Sequence, residues 1–123
     1  ANAKDIQKFW TTLPKYDHTD ELWSFITTNF SKVHILSSYG IDIPRVKVNT
    51  QIGKKQWVMS NLQPVPITEN IIIEKRKQFF AQPNRILIDD MEQTINEWNA
   101  RGGIGIHHTS ATNTIAQLKK LGL

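Results

Sequence analysis

Four short apolar runs, separated by longer segments of helical character, constrain the fold of this chain most strongly. They are Val33–Leu36, Ile71–Ile73, Arg85–Ile88 and Ile104–His107. Short runs rich in β-branched residues are typical of strands that are buried on both faces of a parallel sheet. Because such strands alternate with helices here, the sequence predicts a mostly parallel α/β sheet.

Helical segments fill much of the remaining chain, where apolar residues recur at helical spacing. Proline or glycine follows several of them, and Thr19 is a candidate N-cap residue. The predicted helices are Asp5–Trp10, Thr19–Asn29, Gln51–Leu62 with an open N-terminal bound, Met91–Ala100, and a last helix that Ser110 or Thr109 caps and that runs through Leu121.

The composition is that of one ordinary folded domain. The 123 residues are 39% hydrophobic and 21% charged, and we therefore expect a single domain over residues 1–123 with one core. The absence of cysteine excludes disulfides and thiolate metal sites. No apolar run approaches the roughly 20 residues that span a bilayer. We expect a soluble, cytoplasmic protein with no membrane partner.

The positive charge of the chain does not by itself indicate a nucleic-acid partner. The net charge is +4, but the basic residues are scattered from Lys4 to Lys120. Neither a clustered basic helix nor an aromatic RNA-binding strand accompanies them, which argues against nucleic acid. A small anionic ligand is compatible with this surface.

Polar residues follow three of the predicted strands, at the edge of a parallel sheet where ligands bind. They are Ser37, Ser38, Lys77, Asp89 and Asp90. Adjacent carboxylates at the end of an apolar strand are costly unless a cation or hydrogen-bond donors lie beside them. Asp89 and Asp90 therefore predict a hard-metal site, with Mg²⁺ as the natural ion for oxygen ligands. The alternative is that one aspartate caps the helix at Met91 and the other is solvated.

Ser37 and Lys77 are candidates for binding a phosphate group. The Ser37 hydroxyl can hydrogen-bond a phosphate oxygen, and the Lys77 ammonium can neutralise phosphate charge and orient a carboxylate. Each residue also has an ordinary structural interpretation, as a turn serine and as a solvated surface lysine. The occurrence of Ser37, Lys77 and the Asp89–Asp90 pair in this order along the chain favours a phosphate-binding site.

Several segments, taken together, resemble the motifs of the haloacid-dehalogenase-like phosphatases. Residues 86–90 (ILIDD), 96–98 (NEW) and 102–108 (GGIGIHH) are similar to motif IV with its following helix and strand. Residues 34–38 (HILSS) resemble motif II, and residues 71–77 (IIIEKRK) resemble the motif III segment, with Lys77 as the best match to its lysine. The small, often phage-borne members and the 5′(3′)-deoxyribonucleotidases are the most similar branch.

The likeness extends over nearly the whole chain. Residues 53–58 (GKKQWV) resemble the Lys-x-x-Trp helix between motifs II and III, and residues 9–23 resemble the family's cap-side segment. The resemblance implies a Rossmann-like three-layer sandwich, with residues 1–30 as a helical cap-side segment and residues 31–123 as the α/β core. It also implies a phosphatase that acts on a small phosphorylated metabolite such as a nucleotide.

The resemblance assigns a role to each candidate residue. Ser37, Ser38 and Lys77 correspond to substrate-binding positions, and Ser37, Lys77 and Asp89 to catalytic ones. Asp89 and Asp90 correspond to Mg²⁺ ligands.

One motif of the family has no counterpart in this chain. The family's nucleophile and general acid/base are the two aspartates of an Asp-x-Asp motif after the first strand. No such pair follows an apolar strand here. The six aspartates are Asp5, Asp17, Asp20, Asp42, Asp89 and Asp90.

The missing motif I strand has a structural consequence as well as a chemical one. In the family it lies between the strand ending at Ser37 and the strand ending at Asp89, so its absence leaves two unpaired backbone edges. We therefore expect a separate segment or another copy of the chain to complete the sheet, and no activity from these residues alone. The alternative is a catalytically inactive binding or assembly module with the same scaffold.

Overall fold

The computed structural model describes residues 2–122, which form five α-helices and four short β-strands in two parallel pairs. The expectation of an α/β fold with parallel strands is confirmed. In chain order the elements are α1 (Ala3–Thr11), α2 (Thr19–Asn29), β1 (Ile35–Ser37), α3 (Pro44–Asn61), β2 (Ile71–Ile73), β3 (Ile86–Asp89), α4 (Glu92–Ala100), β4 (Ile104–His107) and α5 (Ala111–Lys120). Single 3-10 turns, Thr68–Asn70 and Lys77–Phe80, precede β2 and β3.

The chain divides into two compact units, one up to Lys75 and one from Arg76 onward. The first unit contains α1, α2, α3 and the parallel pair of β1 and β2, in which Ile35 lies opposite Ile71. Its core includes Trp23, Val58 and Ile73. The Trp23 indole donates to the Pro64 carbonyl at 2.9 Å, so this large side chain is buried with its one polar atom satisfied.

Two of the contacts between helix α3 and the rest of the first unit are hydrogen bonds donated by glutamine side chains. The side-chain amide of Gln51 donates to the Ile73 carbonyl at 3.0 Å, which links α3 to β2. On the side of α1, the Gln7 amide donates to the buried Asn49 side chain at 2.6 Å. Gly53 lies beside this bond. A Cβ atom there would come within 2.9 Å of the Trp10 Cβ, so the glycine allows α1 and α3 to approach closely.

The second unit contains α4, α5 and the parallel pair of β3 and β4, in which Ile86 lies opposite Ile104. Trp98 is buried, and its indole donates to the Arg85 carbonyl at 3.1 Å. Gly103 follows α4 at the entrance to β4. A Cβ atom there would lie 2.2 Å from the Trp98 ring nitrogen, so only glycine fits against this tryptophan. Ser110 caps α5 by accepting a hydrogen bond from the Asn113 amide at 3.1 Å.

The start of α2 differs from the sequence prediction. Thr19 is the first helical residue rather than the cap, and its hydroxyl donates backward to the Tyr16 carbonyl at 2.8 Å. His18 occupies the cap position in a left-handed conformation, with a φ of 66°, and its side chain makes no capping bond. The prediction of a Thr19 cap was wrong because the chain turns at His18 before the helix begins.

Within residues 2–122, no helix combines the length and apolar character needed to cross a bilayer.

Candidate functional site

The carboxylate of Asp89 is buried at the carboxyl end of β3 and is paired with Lys77. The two side chains are 6% and 17% exposed, and the Lys77 Nζ lies 2.5 Å from Oδ2 of Asp89. The other carboxylate oxygen, Oδ1, accepts a hydrogen bond from the Met91 backbone amide at 2.9 Å. Two of the polar residues that follow predicted strands, Lys77 and Asp89, are thus in direct contact. A charge-assisted hydrogen bond of this kind is stronger than one between neutral groups and holds both side chains in a defined orientation.

Asp90 has a different environment from its neighbour. It is exposed, and its backbone carbonyl lies 2.9 Å from Nε2 of His107. Asp89 is the last residue of β3, whereas Asp90 lies in the bend that follows the strand, which accounts for one aspartate being buried and the next being exposed. Neither aspartate is the N-cap residue of α4, because Met91 occupies that position without a side-chain capping bond, and the Met91 amide donates to Asp89 in the turn before the helix.

The carboxylate oxygens of Asp89 and Asp90 are the type of ligand that a hard cation binds, but two carboxylates are only part of a coordination shell. A carboxylate offers about four lone-pair positions, and the two hydrogen bonds of Asp89 leave positions on both of its oxygens. Mg²⁺ commonly uses one or two protein carboxylates and completes its shell with water and substrate phosphate. Among residues 2–122, no group of three or more histidine, aspartate or glutamate side chains gathers in the manner of a complete metal cage.

Ser37 and Ser38 lie at the carboxyl end of β1, where a lysine of α3 contacts both. The Lys54 ammonium donates to the Ser37 hydroxyl oxygen at 2.9 Å and also to the Ser38 backbone carbonyl. The Ser38 hydroxyl accepts the Gly40 backbone amide at 3.0 Å, which shapes the loop after the strand. The first unit thus brings a hydroxyl and a cation together at a strand end.

Lys54 was not among the candidate residues from the sequence. It lies 17 positions beyond Ser37, and only tertiary structure brings the two together. The one sequence signal that includes it is the Lys-x-x-Trp pattern of Lys54 and Trp57, which does not indicate a contact with Ser37. Its ammonium also lies 4.6 Å from the centroid of the Trp10 ring.

Two strand edges carry backbone groups that point away from their paired neighbours. The Ser37 carbonyl accepts from the Glu74 amide, so the backbone of Ser37 faces β2 and that of Leu36 faces the opposite side. On β3, Asp89 accepts from the His108 amide, so Ile88 faces away from β4. In the part of the chain that the structure describes, β1 pairs only with β2 and β3 only with β4.

The structure places the five predicted site residues in two groups. Ser37 and Ser38 belong to the first unit, where they meet Lys54; Lys77, Asp89 and Asp90 belong to the second, where Lys77 and Asp89 form an ion pair. Comparisons with protein-family models, with curated proteins and with solved structures found no match for the chain.

Proposed function

We propose that this chain is the larger part of a haloacid-dehalogenase-type phosphatase that acts on a small phosphorylated metabolite, such as a nucleotide. The ion pair between the partly buried Lys77 and the buried Asp89 is the observation that carries the proposal. It supports the resemblance because the two residues were selected by their motif positions, 12 residues apart, and are found in direct contact. The proposed scaffold is the Rossmann-like sandwich of that family.

In the proposed reaction Ser37 donates its hydroxyl hydrogen to an oxygen of the transferring phosphoryl group, with Ser38 beside it. Lys77 holds the Asp89 carboxylate and adds positive charge near the phosphate. Such donors act by stabilising the charge that develops on the phosphoryl oxygens. The Lys54 ammonium, 2.9 Å from the Ser37 hydroxyl oxygen, makes that end of β1 electropositive and so supports an anionic ligand.

Asp89 and Asp90 would hold Mg²⁺ in this proposal. When bound, the ion neutralises phosphoryl charge in the transition state. The remaining ligands would come from water, from the substrate and from the aspartates of the missing motif.

The proposed nucleophile is an aspartate supplied by a segment outside these residues. A strand that ends in Asp-x-Asp would provide it, and its backbone would satisfy the outward-facing groups of Leu36 and Ile88 by strand addition. A separate peptide or a segment of another copy of the chain can supply such a strand. The phosphatase is then assembled from more than one piece.

Complementation tests this proposal directly. We expect the 123-residue chain alone to hydrolyse neither p-nitrophenyl phosphate nor nucleoside monophosphates with Mg²⁺, since the covalent route lacks its nucleophile. Addition of a synthetic apolar peptide that ends in Asp-x-Asp is expected to produce magnesium-dependent hydrolysis. The same peptide with Asn-x-Asn serves as the matched control, because it keeps strand pairing and removes the nucleophile.

Two results would contradict the proposal. One is hydrolysis by the chain alone that disappears in Asp89→Asn, which means that a residue of this chain is the nucleophile. The other is binding of the Asp-x-Asp peptide, seen as a gain of ordered strand, with no hydrolysis of any phosphate ester.

Binding of the peptide without hydrolysis would favour another function, that of a catalytically inactive binding or assembly module. One observation supports that function independently. Both carboxylate oxygens of Asp89 already accept hydrogen bonds, so the pair with Lys77 is a self-sufficient structural element as well as a candidate catalytic one.

A further inference from the structure

The Lys54 ammonium lies at the end of β1, where it contacts Ser37, Ser38 and the Trp10 ring of α1. It donates to the Ser37 hydroxyl oxygen at 2.9 Å and to the Ser38 carbonyl, and it lies 4.6 Å from the centroid of the Trp10 ring. Serine and carbonyl oxygens are common partners of a lysine. The aromatic ring differs from these partners, because it belongs to α1, which precedes β1 by more than twenty residues.

The close contact between α1 and α3 determines the position of the Trp10 ring. Gly53, the residue before Lys54, allows the Trp10 Cβ to approach the α3 backbone where any larger residue would collide with it. One turn away, Gln7 donates to the buried Asn49 side chain at 2.6 Å and locks the register of the two helices. The Phe9 and Trp10 rings are perpendicular, with their centroids 5.0 Å apart. These contacts place the Trp10 side chain between α1 and α3, beside Lys54.

A serine hydroxyl has one hydrogen to donate and two lone pairs to accept with, whereas an ammonium can only donate. The bond between Lys54 and Ser37 must therefore run from the ammonium to the hydroxyl oxygen. This occupies a lone pair of Ser37 and leaves its hydrogen for another acceptor. A phosphoryl oxygen is an acceptor of that kind, and the nearby positive charge strengthens the bond to it.

We infer that Trp10 is a positioning residue, which holds the Lys54 ammonium against Ser37 so that the Ser37 hydroxyl is presented as a donor to a phosphoryl group. Tryptophan is the best aromatic partner for a cation, and a lysine side chain that is already ordered loses less freedom on binding an anion. The role of the phosphoryl ligand rests on the proposed function; the holding of Lys54 by Trp10 does not. A residue of the cap-side helix thus prepares the phosphate-binding end of β1.

Paired substitutions at Trp10 test this inference in the full chain. Trp10→Leu keeps an apolar side chain against Gly53 but removes the π face, and Trp10→Phe keeps a ring. In protein labelled on lysine side chains, we expect the Lys54 Nζ resonance to move to the position of a solvated lysine in Trp10→Leu and to stay near its wild-type position in Trp10→Phe. Urea unfolding of each variant verifies that it is folded.

The second measurement uses inorganic phosphate as the probe, titrated into the same proteins and followed at the Ser37 and Ser38 amide resonances. We expect Trp10→Leu to weaken phosphate binding about threefold to tenfold, the range of a partly desolvated cation–π contact, and Trp10→Phe to restore most of the affinity. Ser37→Ala and Lys54→Met are expected to weaken it further. Lys55→Met is the matched control, since it removes the same charge one position along α3.

Each outcome is decisive. A Lys54 resonance that Trp10→Leu does not move overturns the inference, whatever phosphate does. A resonance that moves without any change in phosphate affinity also overturns it, because the ring then holds the lysine to no effect on the ligand. If the wild-type chain binds no phosphate while the resonance responds to Trp10→Leu, the holding of Lys54 stands and the phosphate-binding part of the proposed function fails.

Discussion

The charge on Asp89 lies in an environment that would be costly without Lys77. A carboxylate removed from water loses several kcal/mol of hydration, and a partner in direct contact is needed to offset that loss. Asp89 has this partner at 2.5 Å and a backbone donor at 2.9 Å. Removal of one partner is consequently worse than removal of both, because it leaves the other charge without a counterion.

This reasoning predicts an asymmetry among variants of the pair. Lys77→Met should lower the free energy of unfolding by roughly 3 kcal/mol, and Asp89→Asn by a similar amount, whereas the double variant should lie closer to wild type than the sum of the two. Urea unfolding measures all three. The exposed pair of Lys15 and Asp20 is the control, and Asp20→Asn should change stability by less than about 1 kcal/mol. Additive effects at Lys77 and Asp89 would show that the contact does not bear on stability.

At the scale of elements, helix packing depends on glycines that face a neighbouring side chain. Gly53 faces Trp10 across the contact between α1 and α3, and Gly105 of β4 faces Ile95 of α4. In both places a Cβ atom would come within 3.0 Å of its neighbour, closer than packed carbon atoms allow. The absence of a side chain at these positions allows the two elements to approach.

Gly53→Ala tests this packing because helix propensity and steric overlap predict opposite signs for the change in the free energy of unfolding. In a helix interior, alanine is favoured over glycine by about 1 kcal/mol, so a substitution without steric consequence would stabilise the chain. We expect instead a loss of about 1 to 3 kcal/mol, because α1 must move away from α3. The free energy of unfolding decides the sign. Ser60→Ala, on the exposed surface of the same helix, should stay within about 0.5 kcal/mol of wild type, and a stabilising Gly53→Ala would refute the close packing.

The elements that the sequence predicted best are those with the strongest local pattern. The bounds of β2 and β4 agree with the prediction, since apolar β-branched residues define them, and Ser110 caps α5 as expected. Helix α3 begins at Pro44, seven residues before the predicted Gln51. Its first two turns carry little apolar periodicity, and tertiary contacts such as that of Gln7 with Asn49 stabilise them instead.

The residues of the candidate site likewise differ in how well the sequence predicts them. Strand ends are visible in a sequence, so Ser37 and Asp89 could be selected, and a motif spacing selected Lys77. Lys54 could not be found in this way, because its contact with Ser37 depends on how α3 packs beside β1. Local patterns show which residues end a strand, but not which side chain of another element reaches them.

Residues 2–122 contain two parallel strand pairs, and each strand of a pair has one outward-facing backbone edge. Parallel strands usually lie inside a larger sheet that is covered on both faces. Here Leu36 of β1 and Ile88 of β3 are only partly buried, whereas Leu87 between the edge positions is buried. Both pairs therefore have the hydrogen-bonding groups, and the apolar side chains, to accept a further strand.

Amide hydrogen exchange is expected to alternate along these strands. The Leu36 and Ile88 amides face away from the paired neighbour and should exchange quickly, whereas the Ser37 and Leu87 amides face β2 and β4 and should exchange slowly. Binding of the Asp-x-Asp peptide should slow Leu36 and Ile88 selectively. Equal protection of all four amides in the free chain would mean that the edges are already paired, and would contradict the strand-addition proposal.

The registers of the two strand pairs also imply an order of folding. Ile35 must find Ile71 across α3 and its flanking loops, whereas Ile86 finds Ile104 across α4 alone, a separation half as long. A doubling of loop length adds only about 0.6 kcal/mol of closure entropy, but pairing over a larger separation slows the search for native contacts. The pair of β3 and β4, with the buried Asp89 at its end, should therefore form before the pair of β1 and β2. The strand that binds Lys54 through Ser37 is then the later one to become ordered.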